Sequence, residues 1–138
     1  MNIADQIQFL GPVYGEEKED LFRTSSLAFL VSHSENFGVA AAEALTAGIP
    51  VIASHTTPWS CLEKEKMGWW VLGSVEGIAE ALESATSLDP STESMMSKNA
   101  MEYAAKTFGW PAIAETFIRL YKWVADMESG QPAFVLDA

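Results

Sequence analysis

The chain is short of positive charge, of cysteine and of long apolar runs. Eight of its 138 residues are Lys or Arg against nineteen Asp or Glu, a formal net charge of −11. A nucleic-acid or anionic-membrane surface needs a basic face, so this balance argues against both. It leaves room for a small anion held by backbone N–H groups. The single cysteine, Cys61, rules out an internal disulfide and fits a reducing compartment. Cys61 has no positioned basic or histidine neighbour in sequence, so a nucleophile there has little support. No apolar stretch approaches the roughly 18 residues of a spanning helix. The opening Met1-Asn2-Ile3-Ala4-Asp5-Gln6 has neither a basic nor an apolar region, so no signal peptide is expected and the expected location is cytoplasmic. His33 and His55 lack companions at metal-ligand spacing and read as loop or edge histidines. No Gly-rich phosphate loop of either common type occurs.

What the chain does have is a hydrophobic share of 49%, enough for one folded domain with a real core. Ile7-Gln8-Phe9-Leu10 reads as a short strand closed by Gly11-Pro12. Glu16 to Arg23 reads as a helix with acids early and Arg23 late, matching the macrodipole. The run Leu27-Ala28-Phe29-Leu30-Val31 suits a strand covered on both faces. Further strands are expected at Pro50 to Ala53 and at Trp69 to Leu72, with a short helix from Pro58 to Lys64 between them. A helix carrying Ile78, Leu82 and Ala85 follows. Strand and helix alternating at short spacing predict an α/β parallel sheet of about four strands with flanking helices. From about Asp89 the pattern is helical only: one helix opens at Pro90, another at Trp110-Pro111. The second carries an apolar stripe of Ile113, Phe117, Leu120, Val124 and Met127, expected to pack on a core. The folded part is expected over residues 1–128, with a tail over 129–138 that is disordered or docks on a partner. An exposed sheet edge or the Trp-bearing helices would invite homo-oligomerisation.

The candidate site lies between the second of these strands and the helix after it. Val39-Ala40-Ala41-Ala42-Glu43-Ala44-Leu45-Thr46-Ala47 is apolar nearly all round, which predicts a buried helix. Glu43 is its only charge and must face a cleft or meet hydrogen-bond donors. Glu35 stands eight residues earlier in the loop feeding the helix. Carboxylates accept hydrogen bonds only, so the two suit the hydroxyl pairs of a ribose or hexose. Ligands of open parallel sheets sit beyond the carboxyl ends of the strands. The N–H groups near Phe37, Gly38 and Val39 could there hold a phosphate or sugar hydroxyl, with Gly38 allowing close approach. The plainer readings are a solvated loop acid at Glu35, an internally satisfied Glu43, and an N-cap at Ser34 or Asn36. The Glu16-Glu17-Lys18-Glu19-Asp20 run reads as a solvated helix face. The five tryptophans read as core or interface, with Trp59 the one placed on the ligand side.

Ser34-Glu35-Asn36-Phe37-Gly38, then Glu43-Ala44-Leu45, then Gly48-Ile49-Pro50-Val51-Ile52-Ala53 together resemble the retaining glycosyltransferases of family 4, with the GT-B fold. Glu35 and Glu43 match that family's Glu-x7-Glu pattern, and the likeness extends over most of residues 3–127. The resemblance implies a partial Rossmann-like C-terminal domain that binds a nucleotide-sugar donor. In it Glu35 would be the catalytic residue at the donor sugar, and Glu43 would bind the ribose hydroxyls. Asn36, Phe37 and Gly38 would hold sugar hydroxyls, with Val39 near the diphosphate or base. It implies retention, no metal and no other cofactor, and membrane association, if any, as a property of the full-length enzyme. The family's basic residues for the diphosphate and its N-terminal acceptor domain have no counterpart in this chain, so the chain alone is expected to be inactive. Thr56-Thr57-Pro58-Trp59 keeps a family proline but lacks the glycine pair and glutamate around it. The alternative is a non-catalytic α/β interaction module on the same scaffold. A glycoside hydrolase fits poorly, since nothing in the sequence sets two carboxyls across a cleft.

Overall fold

The computed structural model describes residues 3–125 and 130–135. A 3₁₀ turn over Ala4–Gln6 is followed by α1 (Gly15–Thr24), β1 (Ala28–Leu30), α2 (Val39–Thr46), β2 (Val51–Ser54), α3 (Cys61–Lys64), β3 (Gly68–Val71), α4 (Val75–Thr86), α5 (Pro90–Phe108) and α6 (Trp110–Val124). The three strands form one parallel sheet in the order β1-β2-β3. Val51 pairs with Ala28 on one side and Gly68 on the other.

The central strand explains the apolar run in the sequence. All four residues of β2 are buried. Alternate residues of a strand face opposite sides. Val51 and Ala53 join a cluster with Ala41, Ala44 and Leu45 of α2, Leu62 of α3, and Ala100 and Ala104 of α5. Ile52, between them, points to the opposite face and is wholly buried, and α4 packs along β2 and β3. The alanines of α2 and α5 let these two helices pack directly on each other.

Two expectations are corrected. The sheet has three strands among the described residues, not about four. Ile7 to Leu10 is irregular, and Phe9 is 94% exposed. A strand needs a neighbour for its N–H and C=O groups, and none of the three described strands pairs with this segment. The stripe on α6 is also only half covered. Ile113 and Leu120 are half-buried, Phe117 and Val124 are exposed, and no described residue of α6 is buried, because α6 packs mainly on α5. Met127 lies outside the described residues. So does part of the expected tail. Its described part, 130–135, turns back, with the Val135 N–H on the Pro132 carbonyl at 2.9 Å and the Arg119 guanidinium 5.6 Å from the Phe134 ring centre.

The helix ends follow their local chemistry. Asp89 caps α5 by accepting from Ser91 and Thr92, which holds its carboxyl well below the usual range, the Ser91 hydroxyl first among the causes. α2 closes with paired bonds, Ile49 N–H to Ala44 and Gly48 N–H to Leu45, and Gly48 is left-handed as this motif requires. α3 ends in the same motif, Met67 N–H to Leu62 and Lys66 N–H to Glu63, but the left-handed residue there is Lys66 (φ 52°). A side chain in that conformation costs about 1 kcal/mol. Lys66→Gly is therefore expected to stabilise the fold by about 0.5–1 kcal/mol. Urea unfolding checks this, and an unchanged midpoint would show that the lysine is not strained.

Candidate functional site

The site is assembled at the carboxyl ends of β1 and β2. Ser54, the last residue of β2, is 1% exposed. Its hydroxyl accepts from Ser32 N–H at 3.1 Å and donates to the Ser32 carbonyl at 2.8 Å, while the Thr56 hydroxyl also reaches that carbonyl. This ties the chain leaving β1 to the end of β2 and sets the start of the loop that carries Glu35. Nothing in the sequence marked Ser54 beyond a polar residue ending an apolar strand. Ser54→Ala should cost about 1–3 kcal/mol, since it leaves the Ser32 N–H unpaired in a part-buried place. A change in thermal midpoint too small to measure would contradict that assignment.

The far end of the loop is fixed by Trp59. Its indole N–H donates to the Phe37 carbonyl at 2.7 Å. The Phe37 ring packs against Trp59 (centres 5.7 Å apart) and edge-on to Phe108 (5.6 Å, 88°). Gly38 then takes a left-handed conformation (φ 77°) and caps α2 without any side-chain bond. That overturns Ser34 or Asn36 as the cap. A methyl group on Gly38 would lie 2.4 Å from Leu30 Cδ2 and 3.1 Å from Trp59 Nε1. Glycine is required both for the turn and for the close approach.

The Gly38 carbonyl accepts the first helical bonds, from Ala41 and Ala42. The Val39 and Ala40 N–H groups have no partner among the described residues. With the helix dipole behind them they form an anion-attracting end. Val39 is 61% exposed and Ala40 is exposed, so α2 is buried along one side only, through Ala41, Ala44 and Leu45. Glu35 is half-buried beside this end, with Oε1 accepting from Asn36 N–H at 3.1 Å. A cleft of about 250 Å³ lies at the carboxyl ends of the strands, lined by Val31, Ser32, His33, Thr56 and Leu72 among others.

Glu43 stands one helical turn beyond Val39 and turns toward α1. It is half-exposed, and Lys18 Nζ lies 2.7 Å from its Oε1. The structure thus puts Glu35, Asn36, Gly38 and Val39 in the loop and first residue at the start of α2, and places Glu43 in a separate groove of about 580 Å³ between α1 and α2, with Lys18, Phe22, Ala42 and Thr46 on its walls. The Phe37 ring packs against Trp59 and Phe108, and its carbonyl accepts from the Trp59 indole N–H. Lys18 was hidden in a run of acids that reads as a solvated face. His55 bonds the Trp70 carbonyl through Nε2 at 2.9 Å, and His33 is exposed. Among the described residues no three His, Cys, Asp or Glu side chains come together to hold a metal ion, and no helix is long and apolar enough to cross a membrane.

Known proteins resemble this chain in sequence and fold. Residues 1–103 match the family described as glycosyl transferases group 1. The D-inositol 3-phosphate glycosyltransferase of Kribbella flavida is 32% identical over 124 residues, covering 88% of this chain and 29% of that protein. Its namesake in Corynebacterium diphtheriae is 32% identical over 134 residues, 95% of this chain and 31% of that protein. The chain therefore spans about three tenths of the length of these curated relatives. Among solved structures, sucrose-phosphate synthase from Thermosynechococcus elongatus superposes with a TM-score of 0.73 at 26% identity, over 91% of this chain and 32% of that one. The C-terminal domain of a glycosyl transferase group 1 family protein from Francisella tularensis gives 0.66 at 23% identity, over 78% of this chain and 56% of that one.

Proposed function

Because this chain belongs to the glycosyl transferases group 1 family and has the α/β fold of the C-terminal part of a GT-B glycosyltransferase, we propose that it is the donor-binding part of an enzyme that transfers a sugar from a nucleoside diphosphate to an acceptor. The observation that carries the reading is the open N-terminus of α2, capped only by Gly38 and flanked by Glu35. Free N–H groups on a helix dipole suit a diphosphate. Glu35 beside them suits the hydroxyls of the attached sugar. Glu43, with Oε1 on Lys18, has Oε2 to accept from a ribose hydroxyl in the groove between α1 and α2.

In the reaction the bond between the anomeric carbon and the β-phosphate oxygen breaks. The sugar passes to an acceptor hydroxyl with retention, the hydroxyl proton goes to the departing β-phosphate oxygen, and the nucleoside diphosphate leaves. The helix end stabilises the charge growing on the leaving phosphate, which is electrostatic catalysis. The proposal assigns no metal to this step. Further positive charge and the acceptor site are assigned to parts of the enzyme outside this chain, in keeping with the length it spans of its relatives.

Shift mapping by NMR with UDP, GDP and their sugar conjugates tests the reading. One nucleotide should move the amide signals of Phe37 to Glu43, and Glu43→Ala should weaken its binding about tenfold or more, the loss of a hydrogen bond to a charged group. Equal binding by the variant, or nucleotide shifts confined to residues outside Phe37 to Glu43, would refute it.

A further inference from the structure

A second groove, of about 360 Å³, lies between the end of α3 and the second half of α5. It is bounded by residues before β3, at the amino end of that strand, and so stands apart from the site at the carboxyl ends. Three of the chain's eight basic residues, Lys64, Lys66 and Lys106, line it, together with Asn99, Tyr103 and Thr107. On α5 the last four recur at three- and four-residue steps, which puts them on one face. Lys106 is in the last turn of α5, where the dipole favours a cation. Asn99 Nδ2 donates to the Lys66 carbonyl at 3.2 Å and ties the loop to the helix.

Two acids, Glu65 and Glu102, also line the groove; Glu65 lies 3.9 Å from Lys64, and Glu102 lies 3.7 Å from Lys98. Lys66 and Lys106 have no ion-pair partner among the described residues. The Tyr103 phenol is pushed up to about 12 by burial and by its bond to Cys61, so it stays a proton donor at neutral pH. Lys66 holds its place in a backbone conformation that glycine would adopt without cost. Lys66 and Lys106, from two elements, line one groove although the chain as a whole is strongly acidic.

We propose that this groove binds an inorganic phosphate or the phosphomonoester end of a small molecule, through Lys66 and Lys106 with Asn99 and Thr107 beside them. Ammonium donors on two elements form charge-assisted bonds to separate phosphate oxygens. The proposal is independent of the donor site.

The test is a titration of the 138-residue chain with inorganic phosphate, followed by NMR at constant ionic strength against chloride. Saturable shifts confined to the region of Lys66, Asn99, Tyr103 and Lys106 are expected. Lys66→Gly should weaken binding about fivefold, the scale of one exposed charge pair, and Lys66→Gly with Lys106→Gln should abolish saturation. Lys66→Gly suits the lysine's own backbone, so a loss of binding in it is not a loss of fold; Lys106→Gln repeats the test from the other element. Shifts that spread equally over Lys18 and Lys98 and never saturate would overturn the site, as would unchanged affinity in both variants.

Discussion

Gly68→Ala should abolish the cooperative fold or lower its thermal midpoint by roughly 10–20 °C. A methyl group on Gly68 would sit 2.1 Å from the Val51 carbonyl oxygen and 2.9 Å from its nitrogen. Those are backbone atoms of the central strand, so no side chain can swing aside. Either β3 separates from β2 or both strands shift, and the pairing Val51–Gly68 through Ser54–Val71 is lost. Overpacking of this kind costs about 3 kcal/mol or more, a large share of a typical domain's stability. Gly73→Ala is the control. There the added carbon meets only Ser54 Cβ, at 3.4 Å, an ordinary contact, and the midpoint should barely move. Circular dichroism on both variants decides it. A Gly68→Ala protein as stable as the original would mean that β2 and β3 do not pair in this register.

The layout around this sheet was legible because its residues obey local rules. A five-residue apolar run, a strand of four buried residues and a glycine stop after Thr46-Ala47 leave little choice, and the ends of β1, β2 and β3 fall within a residue or two of expectation. Ile7 to Leu10 misled because strand character is a property of pairs. Its sequence says extended and apolar, but only a neighbour converts that into a strand. The α6 stripe misled in a similar way, since periodicity shows that a face is apolar without showing what covers it.

The site was legible in its backbone and less so in its side chains. The sequence predicts a helix N-terminus with free N–H groups after the Glu35 loop, and the structure has it at Val39, with Gly38 in place of the expected Ser34 or Asn36 cap. The partner of Glu43 did not follow. Lys18 lies 25 residues earlier on another helix, and only packing brings the two charges to 2.7 Å. Ser54 and Trp59 hold the loop through bonds that span 22 residues each. Such contacts leave no periodic trace, whereas a capping residue or a turn glycine acts on its immediate neighbours.

Trp59 is where stability and ligand binding can be separated. It is 2% exposed and touches Phe37 and Phe108, so Trp59→Ala should cost about 3–5 kcal/mol as a large cavity opens. Trp59→Phe keeps most of the packing and removes the indole bond to the Phe37 carbonyl. Its cost in stability should be about 1–2 kcal/mol. The consequence for the loop is larger than that figure suggests. The Phe37 carbonyl belongs to the peptide that leads into Gly38, and the orientation of that peptide sets where the Val39 and Ala40 N–H groups point. Without the indole the left-handed turn at Gly38 loses the bond that pins its entry. Amide exchange at Phe37 to Val39 should quicken in Trp59→Phe while exchange in β2 stays slow. Nucleotide affinity should then fall by about tenfold, comparable to losing one good hydrogen bond. If exchange and affinity both match the original protein, the loop is held by ring packing alone, and the indole bond has no part in shaping the helix end.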